Sequence, residues 1–472
     1  MKVRNPHSGV YDYTLTEDTP TQITEASEQL RHAQQKWSQQ SVAHRVEVIQ
    51  QWIQSFSEHL EDITRKLSID TARKKVAQIE VNSVLGLMHS WCQRAPQLMA
   101  EPPERASFTA PSVLVQQQSV PYPVVGVISP WNFPLLLAMI DTIPALLAGS
   151  AVLLKPSEVT PRFMDPLEKS ITAIPELKAV LRLVRGGAIA GKAVVKSVDA
   201  VCFTGSVPTG LSIAAVAAER FIPAFLELGG KDPAIVLDDA DLDQATDAIL
   251  RSCVGATGQA CQSLERVYVA EAIYPDFVKM ITQKAEAVSL TTNPDRGQLG
   301  PLIFAGQAKK IQAQINEAEA KGANIETGGK VENINGGLWC RPTVLTGVTH
   351  NMQIMTEETF GPIIPIMSYS DKTEAVRLAN DSIYGLSAAV FSCDQEHALS
   401  VARQIDAGAI SINDGSLTNK VFDAEKHSFK LSGINGSRMG DAALLRFLRK
   451  KALLIQTAKP DDMSGFEEGQ QE

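Results

Sequence analysis

The sequence predicts an α/β protein built on two open, largely parallel sheets. Short apolar runs at Val124 to Ile128, Ala151 to Leu154, Ala200 to Phe203 and Phe225 to Leu226 alternate with helix-like segments. Such alternation marks strands buried on both faces of a parallel sheet. A second alternation of the same kind starts near Lys231. The first four runs also end in turns rich in polar residues: Ser129-Pro130-Trp131-Asn132, Lys155-Pro156-Ser157-Glu158, Thr204-Gly205-Ser206 and Glu227. Open α/β sheets bind ligands at the carboxyl ends of their strands.

Ahead of the first sheet, residues 22 to 100 read as helices. Ile23 to Gln39, His44 to Leu67 and Ala77 to Met99 place apolar residues three and four apart, as in Val46, Ile49, Trp52, Ile53, Phe56 and Leu60. Ser112 to Gln118 alternates like an exposed or edge strand and stops at Pro121. In the second region Leu242 to Cys253, Pro275 to Val288 and Ala305 to Lys321 read as helices, the last ended by Gly322. Leu264 to Val269, Gly385 to Phe391 and Gly408 to Ile412 read as strands. Beyond Asp414 the chain reads as loop until a helix at Ala442 to Phe447 and a strand at Ala452 to Ile455. A polar tail from residue 460 is expected to be disordered. There is no internal repeat.

Composition excludes several classes of function. With 44 basic against 53 acidic residues the net charge is −9, which disfavours nucleic acid and anionic membranes as partners. The most apolar stretch, Val124 to Leu154, is interrupted by Pro130, Asn132, Pro134, Asp141 and Pro144. A mid-membrane aspartate alone costs roughly 2.5–3.5 kcal/mol, so this stretch reads as core. No apolar run follows the N-terminal Met1-Lys2-Val3-Arg4, and a cytoplasmic protein is expected. The cysteines at 92, 202, 253, 261, 340 and 393 show no CxxC pair and no Cys/His metal spacing. Reduced thiols and no metal site are expected.

Each chemical candidate has two readings when taken alone. Phe203-Thr204-Gly205-Ser206-Val207-Pro208-Thr209-Gly210 precedes a helix at Leu211 to Arg220; it can cradle a phosphate or be an ordinary strand–helix turn. It is neither GxGxxG nor a P-loop. Lys155 and Glu158 can hold a ribose or form a surface ion pair. As a ribose ligand, Glu158 would accept from a 2′-hydroxyl and repel a 2′-phosphate, favouring NAD over NADP. Cys261, in Gly258-Gln259-Ala260-Cys261, is a nucleophile or a small buried residue, and Cys253 reads as the latter. Glu227 is a general base acting through water or a charged strand end. Asn132 donates to an oxyanion or caps a helix starting near Phe133.

Six stretches in this order resemble the aldehyde dehydrogenase superfamily over about residues 5 to 457. They are Pro130-Trp131-Asn132-Phe133-Pro134, Lys155-Pro156-Ser157-Glu158, Phe203-Thr204-Gly205-Ser206, Glu227-Leu228-Gly229-Gly230-Lys231, Gly258-Gln259-Ala260-Cys261 and Glu358-Thr359-Phe360-Gly361-Pro362. The resemblance implies that Cys261 attacks an aldehyde to give a thiohemiacetal, with Asn132 and the Cys261 N–H steadying the oxyanion. Hydride transfer to NAD leaves a thioester, which a water activated by Glu227 hydrolyses. It implies a cofactor site drawn from Ile128, Ser129, Pro130, Trp131, Lys155, Ser157, Glu158, Gly187, Phe203, Thr204, Gly205, Ser206, Thr209, Leu228, Gly229, Glu358 and Phe360.

The same resemblance implies a Rossmann-like NAD-binding domain (1–111 and 127–229), a catalytic domain (230–440) and a β oligomerisation arm (112–126 and 441–459). A homodimer or homotetramer is therefore expected, with a tail at 460–472. Asp141 stands where many relatives carry lysine, and Ser437-Arg438-Met439 departs from the commoner Gly-Arg-Glu, so proton-relay groups of some relatives are missing. Lys430 lies where a glycine is frequent, and Pro208 is unusual but fits a first helical turn. Leu137 and Ile140 suggest an apolar wall and a medium apolar or aromatic aldehyde. Alternatives are transfer of the acyl group to coenzyme A, which Glu227 argues against, and a silent family member kept for binding.

Overall fold

The computed structural model describes residues 1–466. Its first sheet has six strands in the order Gly433–Ile434, Ala224–Glu227, Ala200–Thr204, Val124–Ile128, Ala151–Lys155 and Leu181–Leu183. All neighbours are parallel except the first pair. Every residue of Val124–Ile128, Ala151–Lys155 and Ala200–Thr204 is buried, which is why these runs are continuously apolar rather than alternating. Helices Pro20–Gln39 and Ala188–Ser197 pack on each other and on this sheet, and Leu136–Ala148 packs on it as well. At Gly126 a Cβ would stand 2.9 Å from Val194, so the close approach of Ala188–Ser197 requires glycine there.

The second sheet has seven strands, ordered Asn324–Thr327, Thr343–Thr346, Ile363–Tyr369, Leu264–Ala270, Asp232–Val236, Ser387–Phe391 and Ala409–Ile412. Only its first pair is antiparallel. The chain leaves strand Ala224–Glu227 and enters strand Asp232–Val236 after only four residues, so Glu227 stands at the junction of the two sheets. A third sheet pairs Leu448–Gln456 with Val113–Pro121 over nine residues, and the latter with Arg105–Ala106.

Several expected boundaries move. The helix read at His44 to Leu67 is two, Val42–Glu58 and Leu60–Thr71, divided at His59. Residues 124–126 belong to the first sheet and not to the arm, because Val124 and Val125 are buried between neighbouring strands; the arm strand ends at Pro121. Gly433–Ile434 falls within 230–440 but hydrogen-bonds to the first sheet's edge beside Glu227. The stretch after Asp414 contains a turn of 3-10 helix, Leu417–Asn419, and the short strands Phe429–Lys430 and Gly433–Ile434, too brief to show a period. Of the expected tail, Met463–Phe466 forms one 3-10 turn, and 467–472 lie outside the described residues. No helix among the described residues is long and apolar enough to cross a membrane.

Candidate active site

Cys261 lies between helix Leu242–Val254 and strand Leu264–Ala270, in a turn with unusual backbone. Ala256, Thr257 and Gly258 take φ of 53°, 64° and 64°. At Gly258 a Cβ would lie 2.2 Å from the Gly361 carbonyl, so the left-handed turn and the close approach together require glycine. Side chains fix the turn from within. Thr257 Oγ1 donates to the Gly300 carbonyl at 3.1 Å, and Gln259 Oε1 accepts from the Ile303 N–H at 2.9 Å. Cys261 is left half-buried, whereas Cys92, Cys202, Cys253 and Cys340 are buried and Cys393 is exposed. Burial pushes the Cys261 thiol up to about 12, Glu227 and Glu358 push the same way, and Lys426 opposes them.

Asn132 meets this turn from the first sheet. Its Nδ2 donates to the Gln259 carbonyl at 2.9 Å, which uses one of its two N–H groups. Arg73 grips both partners, donating to the main-chain carbonyls of Asn132 and, at 2.9 Å, Ala256. Asn132 does not cap the helix that follows. That helix starts at Leu136, and the Glu80 carboxylate accepts from the N–H groups of Leu135 and Leu136 at 2.7 and 2.9 Å.

Glu227 accepts from Ser428 Oγ at 2.7 Å, and Lys426 Nζ stands 3.8 Å from the same oxygen. Across the thiol, Asn132 and Cys261 line one cavity of about 130 Å³ together with Pro130, Trp131, Leu137, Thr204, Gly205, Ser206, Leu228, Gly229, Gln307, Glu358 and Phe360. Leu137 forms part of this wall; Ile140 is buried and does not line it.

A groove of about 480 Å³ shares Pro130, Trp131 and Thr204 to Ser206 with that cavity and runs outward from it. It is also lined by Ile128, Ser129, Lys155, Ser157, Glu158, Gly187, Lys192, Phe203 and Thr209. Two of its walls are the loops after Val124–Ile128 and Ala200–Thr204, where the strand order reverses direction, the expected place for a dinucleotide. Helix Val207–Glu219 begins there. Its N-cap Ser206 bonds to the Thr209 hydroxyl at 3.0 Å rather than to the backbone, so the first-turn N–H groups remain free for an anion. Pro208 does sit in that first turn. At the outer end Lys155 Nζ donates to the carbonyls of Pro156 and Gly186 at 2.9 and 2.8 Å and lies 3.4 Å from Glu158.

At the inner end a buried ion pair shapes the loop bearing Glu358. Glu265 accepts from the N–H groups of Thr359 and Phe360 at 2.6 and 2.7 Å and from Lys231 Nζ at 2.7 Å. This holds Phe360 at φ 54°, with its ring edge-on to Trp131 at 5.3 Å. Glu358 accepts from the Gly230 N–H at 3.3 Å, and burial pushes it up to about 7. A Cβ on Gly229 would lie 2.6 Å from the Glu358 carboxylate, so that glycine makes room for the acid. Anion donors, paired hydroxyl-binding groups and an aromatic rim along one groove fit a nicotinamide dinucleotide.

The whole chain also matches known proteins. Residues 1–453 match the model of the aldehyde dehydrogenase family. This chain belongs to that family. The Anabaena variabilis structure named "Putative Aldehyde Dehydrogenase PutA" is 50% identical, with 98% of each chain covered and a TM-score of 0.96. Betaine aldehyde dehydrogenase of Staphylococcus aureus in complex with NAD+ is 30% identical, with 99% of this chain and 94% of that one covered and a TM-score of 0.92. A Mycolicibacterium smegmatis protein named "Putative succinate-semialdehyde dehydrogenase (NADP+)" is 32% identical over 93% of this chain and 86% of its own length.

In this aldehyde dehydrogenase the departures from the family pattern resolve into contacts. Asp141 is buried between Arg438, at 2.8 Å, and Arg446, and Arg438 also donates to Thr204 Oγ1 at 2.8 Å. Lys430 has φ 51°, a left-handed conformation that glycine enters more readily, and its Nζ donates to the Asn380 carbonyl. Arg73, Glu80, Glu265, Lys426 and Ser428 escape sequence reasoning. Each is a single polar residue, far along the chain from the group it serves.

Proposed function

We propose that this aldehyde dehydrogenase oxidises an aldehyde to the carboxylic acid, with NAD as cofactor and Cys261 as nucleophile. The supporting observation is the placement of Cys261, Asn132 and Glu358 around one cavity that continues into the groove of Lys155, Glu158 and Ser206. The thiol gives its proton to solvent, which leaves the Glu227 carboxylate free to act on water in the second half of the reaction. Sγ attacks the carbonyl carbon, and the oxyanion accepts from the spare Asn132 N–H and the Cys261 main-chain N–H. Lys155, Glu158 and Ser206 would hold a nicotinamide dinucleotide in the groove, and it would supply the hydride acceptor for oxidation of the thiohemiacetal to the thioester. Glu227 then takes a proton from water, which attacks the thioester, releases the acid and returns the thiol.

Glu158 favours NAD, since a 2′-phosphate would meet its carboxylate; the NADP+ in the name of the M. smegmatis relative favours the other choice. Leu137, Trp131 and Phe360 give the cavity an apolar wall, which supports a medium apolar or aromatic aldehyde. A semialdehyde is the second reading, and it rests on that same relative's name. The arm supports a homodimer or homotetramer: Leu453, Leu454 and Ile455 are exposed along an edge strand, the kind of surface a second subunit covers. A panel of hexanal, benzaldehyde, betaine aldehyde and succinic semialdehyde, each with NAD and with NADP, tests the reading by absorbance of the reduced nicotinamide. Turnover greatest with hexanal or benzaldehyde and NAD supports it. Preference for succinic semialdehyde overturns the substrate class, and no reduction with any pair overturns the activity.

A further inference from the structure

The loop between strands Ala409–Ile412 and Phe429–Lys430 brings a lysine to the catalytic pair. Lys426 is only 7% exposed, and its Nζ makes no hydrogen bond within the chain. Its main-chain N–H is held by Ser437 Oγ at 3.2 Å, so the position is anchored. An ammonium carries three donors and is strongly hydrated, and burying it without acceptors is unfavourable. Lys231, another deeply buried lysine near the site, shows the contrast: it donates to Glu265 and Thr359 at 2.7 and 2.9 Å.

The charges around Lys426 explain why it is kept. Glu227 Oε2 lies 3.8 Å away, and Cys261 and Asp232 also feel its charge. The carboxyls of Glu227, Glu358 and Asp232 surround the thiol, and each opposes its ionisation when itself ionised. On the positive side are Lys426 and Arg438, and Arg438 is committed to Asp141 and Thr204. A carboxylate beside a nucleophilic thiol keeps it protonated unless a cation offsets the charge.

We infer that Lys426 is a positioning residue for the catalytic pair, its buried and uncommitted ammonium being the positive charge against which the Cys261 thiolate and the Glu227 carboxylate are set. This rests on Cys261 and Glu227 holding the roles given above. Lys426 forms no bond to substrate and exchanges no proton in this scheme. It favours the anionic form of sulfur before attack and holds a positive charge 3.8 Å from the Glu227 carboxylate.

The test is the rate at which iodoacetamide alkylates Cys261 in the full chain as a function of pH, with Cys261→Ala fixing the labelled position. Lys426→Met is expected to move the profile up by about one pH unit, read as roughly tenfold slower labelling at pH 9. Lys426→Arg should restore most of the rate, and Glu227→Gln should speed labelling. In turnover, Lys426→Met should lower kcat and leave KM nearly unchanged. Superimposable profiles for wild type and Lys426→Met overturn the inference. If the methionine variant does not fold, Lys426→Gln is read the same way. Labelling needs neither aldehyde nor cofactor, so failure of the catalytic assignment shows separately, as turnover retained by Cys261→Ser.

Discussion

Arg73 and Asn132 are joined across the site: one terminal nitrogen of the buried guanidinium donates to the Asn132 carbonyl, and the other holds the Ala256 carbonyl at 2.9 Å. One planar group thus sets the distance between Asn132, the proposed oxyanion donor, and the turn carrying Cys261. Lysine cannot span two acceptors in this way. Arg73→Lys is expected to lower kcat about 10- to 100-fold, because small displacements of reacting groups are that costly. Its effect on NAD affinity should be slight. Steady-state kinetics with both substrates varied would check it; an unchanged kcat would show the two loops are held independently.

The contrast with what the sequence offers is instructive at this residue. Asn132, Cys261 and Glu227 could be singled out as candidates because each sits in a run of Gly, Pro and small residues whose order is distinctive. Arg73 sits alone at the start of helix Lys74–Leu98, and nothing in its local pattern separates a buried guanidinium from a solvated one. Strands such as Ala200–Thr204 were legible because burial on both faces leaves a continuous apolar run. Phe429–Lys430 and Gly433–Ile434, two residues each, owe their existence to partners across the fold and carry no local signal.

Lys231 and Glu265 form a pair with almost no exposure, and Glu265 also satisfies the N–H groups of Thr359 and Phe360. Removing one member leaves the other charge buried and alone, which costs about 3–5 kcal/mol. Glu265→Gln should therefore lower the thermal midpoint clearly. It should also raise the KM for NAD, since the loop bearing Glu358 and Phe360 loses its anchor. Calorimetry and cofactor titration check the two effects, and a wild-type melting curve would contradict both.

In the proposed mechanism Cys261 and Glu227 act in different halves of the reaction. Cys261→Ser is expected to abolish turnover. Glu227→Gln should still form acyl-enzyme but hydrolyse it about 10²- to 10⁴-fold more slowly, the usual worth of a general base. Rapid mixing would then show a burst of reduced nicotinamide followed by a slow steady state. A burst with a normal steady rate would remove Glu227 from the hydrolytic role.

Leu454 is 69% exposed in the edge strand Leu448–Gln456. A charge placed there is tolerated on a solvated edge and is not tolerated where a second subunit covers it. Leu454→Asp should shift the molecular mass by light scattering toward the monomer while the far-ultraviolet spectrum of the fold is kept. An unchanged mass would place the subunit contact elsewhere.

Asp232 shows how burial enters the pH dependence of stability. It begins the strand that leads away from Glu227, is fully enclosed, and burial pushes its carboxyl up to about 8 despite a hydrogen bond from Ser387. An unfolded aspartate titrates near 3.9. The folded state therefore holds the proton more tightly, and this contribution is complete at pH below about 4 and is lost as pH rises through about 8. Asp232→Asn keeps the neutral form at every pH and can still accept from Ser387. The variant should therefore gain thermal stability relative to wild type as pH is raised from 5 to 9, with the difference levelling above that range. Melting curves of both proteins across this series measure it. A difference independent of pH would mean that Asp232 keeps one protonation state throughout, with Lys426 supplying enough positive charge to hold it ionised.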